Sequence, residues 1–328
     1  MKKTFARALL VAAAFTVVAT SFAAAKTNWP RKAVTVVLPY SAGGDTDTYC
    51  RTLFRMASDK LGQPFVVTNM TGGSGVVAAK HVMGKRNDGY TLLFNHTGAA
   101  LVQEAVGFAD FSYTDNFTNC CTVAIDQTYS LFAVSKTGNY KQFSRGWETL
   151  EDVIADAKAN PGVVRWSNVY GSATHYVGIM FEKDAGIKLD SIDVGSDTAT
   201  RMTSLLGGKV DLVAANYMNM KDYVANGDLV CLGVMAPERV PNIDFPTFKE
   251  QGYPDVITAK KYTIKFPKGT NAEIVEKLAS VCKEITESEE FKNVLATYFA
   301  QPYFRDAATM NVEDPAEVKA IKEALGTK

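Results

Sequence analysis

The chain has 328 residues, of which 35 are basic, 35 acidic and 47% apolar. That length suits roughly two domains, and evenly spread aromatics and aliphatics exclude a disordered chain. The first 25 residues carry Lys2, Lys3 and Arg7 and no acid; without them 32 basic and 35 acidic residues remain, a net of −3, which excludes the basic face of a general nucleic-acid binder.

Residues 1–25 read as an export leader. Lys2, Lys3 and Arg7 make a positive n-region, residues 8–18 an apolar h-region, and Ala23, Ala24 and Ala25 a small-residue cleavage site. Cleavage near Ala25 leaves a mature chain of 303 residues. The apolar run is shorter than the ~20 residues of a membrane span. No cysteine lies near the cleavage point, the first being Cys50. A soluble, exported, periplasmic protein is expected. Of the five cysteines, Cys120 and Cys121 are adjacent and poorly placed to bridge each other. Cys50 shares a helical face with Leu53, Phe54, Ala57 and Leu61, so buried free thiols are expected over a disulfide framework.

Along the mature chain, strand, Gly-rich turn and helix repeat. Residues 33–39 are β-rich, Ser41, Ala42, Gly43 and Gly44 form a turn, and a helix is predicted over 46–60. A strand over 65–68 leads into Thr71, Gly72, Gly73, Ser74 and Gly75 and a helix to about residue 83, followed by a third strand over 91–95. The apolar segment 121–135 runs from one domain into another. A second series follows: helix 148–159, strand 164–169, a turn at Gly171, Ser172, Ala173 and Thr174 opening a helix, strand 192–194, helix 198–206 and strand 210–215. Residues 230–235 cross back, and helices are predicted over 272–285 and 289–299. Strands alternating with helices imply mostly parallel sheets. The expected division is 26–125 plus 236–328 for one lobe and 126–235 for the other, with a cleft between them. Ligands of open α/β sheets bind outside the carboxyl ends of the strands, and here those ends carry the Gly-rich turns.

Glycine lets a backbone approach a ligand closely, and the first turn of a helix has unpaired N–H groups and partial positive charge. Three such turns around one cleft suit a small carboxylate without any Lys or Arg. The stretch from Gly73 to Ala78 matches a dinucleotide fingerprint only weakly, since it follows the second strand and no acid ends the next one. Ser172 and His175 are three apart near a helix start, but no nucleophile elbow surrounds them. His175 reads as a ligand contact or a satisfied polar residue, and His81 as a surface residue. Asp47 and Asp197 each read either as helix N-terminal acids or as acceptors for a ligand amine or hydroxyl. No metal-ligand spacing occurs, and neither a metal nor another cofactor is expected.

Several segments together resemble a known family. Trp29, Pro30 and residues 34–39, with the run Tyr40, Ser41, Ala42, Gly43, Gly44, Asp45, Thr46, Asp47, resemble the opening of the Bug-type receptors, the periplasmic solute-binding proteins of tripartite tricarboxylate transporters. Residues 61–67 (LGQPFVV), 88–93 (DGYTLL), 157–162 (AKANPG), 205–211 (LLGGKVD) and 266–270 (FPKGT) resemble further family segments in order and spacing. Residues 69–75 (NMTGGSG) stand where the family has a Pro-Gly-rich turn, with Met70 and Thr71 in place of Arg-Pro and Ser74 in place of Gly. Residues 260–262 (KKY) replace a Trp-containing segment.

The resemblance implies an α/β, two-lobed periplasmic binding protein of type II-like architecture, its lobes joined by a two-crossing hinge around a ligand cleft. It implies a monomeric receptor for a small organic carboxylate (a dicarboxylate, tricarboxylate, acidic amino acid or aromatic acid), delivered to membrane permease subunits. By motif it implicates Tyr40, Ser41, Ala42, Gly43, Gly44 and Asp47 in ligand binding, then Asn69, Thr71, Gly72, Gly73, Ser74 and Gly75. His96 and Thr97 join them from the third strand turn, and Gly171, Ser172, Thr174 and His175 from the second lobe, with Asp197 as a further candidate. A ligand-sensing co-receptor for a two-component sensor kinase uses the same closure and is the alternative. An exported hydrolase lacks a nucleophile–base pair.

Overall fold

A computed structural model describes residues 27–195 and 198–326. The expected leader over residues 1–25, with its cleavage site, and Asp197 lie outside the described residues.

The chain begins with three parallel strands and the helices that follow them. β1 (Val34–Leu38) is a β-branched run buried at every position but Thr35, as a strand covered on both faces must be. α1 (Asp45–Leu61) buries Tyr49, Cys50, Leu53, Phe54 and Ala57 at helical spacing. β2 (Phe65–Asn69), α2 (Val76–Met83), β3 (Thr91–His96) and α3 (Thr97–Ala105) complete this part. β4 (Phe117–Asp126) then leads directly into β5 (Tyr129–Val134) of a second sheet.

The second part contains α4 (Leu150–Ala159), β6 (Arg165–Asn168), α5 (Ala173–Ala185), β7 (Asp190–Asp193), α6 (Thr198–Leu206), β8 (Val213–Asn216), α7 (Lys221–Ala225) and β9 (Leu229–Val234). The chain returns to the first sheet as β10 (Lys260–Pro267) and ends with α8 (Ala272–Thr286), α9 (Glu289–Thr297), β11 (Gln301–Asp306) and α10 (Ala307–Leu325).

The large sheet has the order β11-β4-β10-β3-β1-β2. β1 is parallel to β2 and β3, whereas β10 is antiparallel to β3 and β4, and β11 to β4. This corrects the expectation of a mostly parallel sheet. The strands that cross between lobes enter without a covering helix, and only a βαβ crossover imposes parallel pairing. In the second lobe β5 lies antiparallel between β8 and β9, while β6 and β7 pair in parallel.

Helices cover both faces of the large sheet. Phe54, Phe94, Ile264, Leu278 and Phe291 form the core on the α1, α8 and α9 side; Val37, Ala79, Val82, Leu93 and Tyr113 form it beneath α2 and α3. A separate core around Leu131, Ile154, Trp166, Phe181 and Leu212 fills the second lobe. Phe248 and Val256 belong to that second core, so the chain re-enters the first sheet only at Lys260. α10 packs Val318 and Ile321 on Leu101 and Val102 of the first lobe and on Tyr176 of the second. All five cysteines are buried and free.

Candidate functional site

Parallel pairing puts Leu38, Asn69 and His96, the last residues of β1, β2 and β3, at one edge of the sheet. Each precedes a helix start that no side chain caps: Gly44 for α1, Gly72 for a 3-10 turn at Gly73–Gly75, Gly75 for α2 and His96 for α3. By contrast α4, α5, α8, α9 and α10 are capped by Thr149, Ser172, Asn271, Ser288 and Asp306. A side-chain cap satisfies first-turn N–H groups; the starts of α1 and α3 have none, with the helix dipole behind them, whereas before α2 the Gly75, Val76 and Val77 N–H groups turn back to the Gly72 and Gly73 carbonyls. The uncapped starts of α1, α2 and α3 therefore gather at one edge of the first lobe, while the five-residue α7 of the second lobe also starts without a cap.

The first turn is held from below. Ser41, Ala42, Gly43 and Gly44 are exposed, while Asp47 is buried beneath them. Asp47 accepts from the Gly43 N–H at 3.0 Å, from Arg51 Nε at 2.9 Å and from Asn69 Nδ2 at 2.9 Å. Asn69 also donates to the Tyr40 carbonyl at 2.9 Å and accepts from Arg51 at 2.8 Å. Burial pushes the Asp47 carboxyl up, but these hydrogen bonds outweigh it and hold it below the usual range. Asp47, Asn69 and Arg51 thus brace the turn from beneath.

The second turn runs through four successive positive φ values: 126° at Gly72, 53° at Gly73, 51° at Ser74 and 105° at Gly75. Left-handed backbone turns N–H groups outward in a nest suited to anions. A Cβ at Gly75 would sit 3.2 Å from Pro39, so glycine is needed there both for its φ and for the close approach. Ser74 is a non-glycine residue in the left-handed region, and Gln103 of α3 ties its carbonyl down at 2.8 Å.

At the third strand end the Tyr40 and His96 rings stack at 4.6 Å. His96 is 8% exposed and its Nδ1 has no partner. Burial, then the Lys260 charge, push its pKa down to about 3 against the opposing pull of Asp45, so the ring is neutral at physiological pH. The Thr97 hydroxyl accepts the backbone N–H of Lys261 at 3.2 Å, joining α3 to the returning strand.

Next to His96 lies a group that motif reading missed. Asp45, the first residue of α1, accepts from Tyr262 Oη at 2.8 Å and faces Lys260 Nζ at 3.7 Å. Lys260 hydrogen-bonds to Asn216 of the second lobe, and Asn216 to Asp126 at the end of β4. Asp45 carried the same sequence signal as Asp47, an acid in the first helical turn. Nothing in the sequence paired it with residues 80 to 220 positions away.

In the second lobe Ser172 and Thr174 spend their hydroxyls locally. Ser172 Oγ donates to the Val169 carbonyl at 2.8 Å and accepts the Thr174 N–H at 3.2 Å; Thr174 Oγ1 accepts the Val169 N–H at 3.0 Å. His175 lies against Tyr170 at 4.5 Å, and burial lowers its pKa. Phe108 of the first lobe reaches Tyr170 at 6.1 Å and packs over Gly171, where a Cβ would lie 3.1 Å from the ring. This aromatic contact between lobes had no sequence signal, because Phe108 and Tyr170 are isolated exposed aromatics. Among the described residues no group of three or more His, Cys, Asp or Glu side chains is placed to hold a metal.

The profile of a family described as "Tripartite tricarboxylate transporter family receptor" matches residues 50–326. Protein BugT of Bordetella pertussis is 29% identical over 282 residues, covering 84% of this chain and 81% of that one. An R. palustris protein solved with adipate superposes with a TM-score of 0.77 at 26% identity, over 91% of this chain and 98% of that one. The periplasmic binding protein BugD superposes with a TM-score of 0.75 at 23% identity, over 91% and 98%.

Proposed function

The chain belongs to the tripartite tricarboxylate transporter receptor family, a family of periplasmic solute-binding receptors, and on that premise we propose that it captures a small organic carboxylate and delivers it to the membrane permease subunits of such a transporter. The observation that carries this reading is the distribution of caps. α1, α2 and α3, which start at one edge of the first lobe, lack side-chain caps, whereas α4, α5, α8, α9 and α10 have them and the short α7 lacks one. An incoming carboxylate supplies the missing acceptor, and a buried carboxylate needs that satisfaction to offset its desolvation. The adipate bound by the R. palustris neighbour supports the ligand class.

In this reading the backbone of residues 41–44 and 71–75, exposed up to Gly73, holds the carboxylate, and Tyr40, His96 and Thr97 form the wall behind it. Gly171, Ser172, Thr174 and His175 form the opposing lip, and Asp47 and Asn69 act through the turn they brace. Residues 27–126 and 260–306 make one lobe and 127–259 the other, and α10 lies across both. Residues 1–25 serve as a leader cleaved near Ala25. No helix among the described residues is long and apolar enough to cross a membrane.

The test is a thermal-shift screen of the refolded, ligand-free protein against tricarboxylates, dicarboxylates, amino acids and aromatic acids. A ligand at ~100 times its dissociation constant adds about 2.7 kcal/mol of stability. A shift confined to one class names the ligand; no shift with any acid overturns the carboxylate reading.

A further inference from the structure

The edge that attracts anions also carries a carboxylate of its own. Asp45 is the first residue of α1, at the positive end of a helix whose N–H groups no side chain caps. Burial pushes its carboxyl up, but Lys260 and Tyr262 outweigh that and hold it below the usual range, so it is ionised at neutral pH. Its side chain is 28% exposed.

The partners around Asp45 leave it incompletely matched. Its hydrogen bonds come from the Tyr262 hydroxyl at 2.8 Å, the Thr46 hydroxyl at 3.3 Å and the Thr46 backbone, whereas an ionised carboxylate offers about four acceptor sites. The Lys260 ammonium stands 3.7 Å away, beyond hydrogen-bond reach, and bonds directly to Asn216 across the cleft. Asp126 lies on the far side of Asn216. It accepts on both oxygens, from the Thr128 N–H at 2.8 Å and from Asn216. Two carboxylates therefore share one lysine. Beside them stands a second unfilled group, the buried Nδ1 of neutral His96. A Cβ built at Gly98 would lie 3.2 Å from Lys260 Cγ and 3.5 Å from that nitrogen, so the lysine stem and the imidazole both pack against Gly98.

We propose that Asp45, with His96 beside it, receives an ammonium group of the captured solute, so that the ligand is an amine-bearing carboxylate such as an amino acid. The inference rests on the cleft being a carboxylate site and names which carboxylates it takes. The ligand carboxylate goes to the turn at residues 72–74, away from Asp45. Its ammonium replaces the long Lys260 contact with a direct hydrogen bond, while Lys260 keeps Asn216. A second carboxylate without an amine would meet Asp45 and Asp126 against a single lysine, so simple dicarboxylates are disfavoured.

The experiment is calorimetric titration of the ligand-free mature protein with acids matched except for the amino group: L-glutamate and glutarate, L-alanine and propionate, L-phenylalanine and 3-phenylpropionate. The expected result is a preference of at least tenfold for the amino acid in the pair that binds. Asp45→Asn, which keeps an acceptor for Tyr262, should cut that preference below threefold. Lys260→Met, which removes the competing ammonium, should widen it, and this variant decides the matter if Asp45→Asn does not fold. Equal or tighter binding of the deaminated acid, or a preference unchanged in the variants, overturns the role of Asp45 and leaves the carboxylate receptor standing. No binding by any member of the pairs, nor by tricarboxylates, overturns both.

Discussion

His96 holds a neutral imidazole in a buried position that faces the Lys260 ammonium. Its folded pKa of about 3 lies well below the 6.5 of an ordinary histidine. Between those values the unfolded chain binds a proton that the folded chain refuses. Stability contributed here is therefore present above pH 6.5 and is lost as the pH falls toward 3. His96→Phe keeps a ring against Tyr40 and removes the titration. Urea unfolding midpoints from pH 7.5 to 4.5 should fall less steeply for the variant than for the parent; equal slopes would show that His96 is not held neutral. The residue scale also explains the two acids of α1. Asp45 and Asp47 are two positions apart, about 200° around the helix axis. One reaches Lys260 and Tyr262 above the sheet edge, and the other turns under the Gly43 loop and meets Arg51 and Asn69.

At the scale of elements, α10 is the piece that joins the lobes, and it is fastened by buried charge. Asp314 is fully buried, with Lys265 Nζ of β10 at 3.4 Å and Arg305 Nη2 of β11 at 3.1 Å. Arg305 also meets Glu313 at 2.7 Å, and Lys265 bonds to Asn119 of β4. Removing one member of such a network strands the others without compensation, which costs about 3–5 kcal/mol. Asp314→Ala should destabilise by that amount in equilibrium unfolding. A Lys265→Met, Asp314→Leu double variant should recover much of the loss, because a matched apolar pair leaves one fewer charge stranded. Losses that simply add would place the network's contribution elsewhere. The uncapped helices belong to this scale too. α1, α2 and α3 forgo a cap, each worth about 1 kcal/mol, which a receptor can regain from its ligand.

For the whole molecule the proposed closure would act through the contacts between lobes. Phe108 meets Tyr170 and Gly171, Tyr217 meets Phe299 at 5.4 Å, and Lys260 reaches Asn216. A ligand favours closure only through the contacts that it gains in the closed form. An aromatic pair adds about 0.5–1.5 kcal/mol beyond its area, roughly two- to tenfold in affinity. Phe108→Ala and Tyr170→Ala should each weaken ligand binding by about that factor without altering selectivity, and the double variant should lose little more than either alone. Calorimetry with the ligand found in the screen checks this; unchanged affinity in both variants would place closure elsewhere.

The family and the Gly-rich turns were legible because they are local. A strand, a glycine turn and a helix start lie within a dozen residues, and residues 88–93 or 205–211 carry their pattern in contiguous sequence. The helices of the first lobe were legible where apolar residues recur at helical spacing, as in α1 and α8. α3 was not, because eight of its nine residues are buried and show no period, and it follows β3 without a break. β10 hides its strand character behind Lys260, Lys261 and Lys265, whose burial makes sense only beside Asp45, Glu317 and Asp314. β11 and α10 carry a proline each, Pro302 and Pro315, which in sequence argue against a strand and a helix interior. The sequence by itself thus determined the α/β class, the family and the turns that offer backbone N–H groups. Tertiary structure alone decided which acid braces the first turn and which meets Lys260 and Tyr262, and which helix starts go without a side-chain cap. It also decided that the hinge strands pair antiparallel. Each of these depends on a partner far away in the chain, and side-chain chemistry at one position does not say which distant group will meet it.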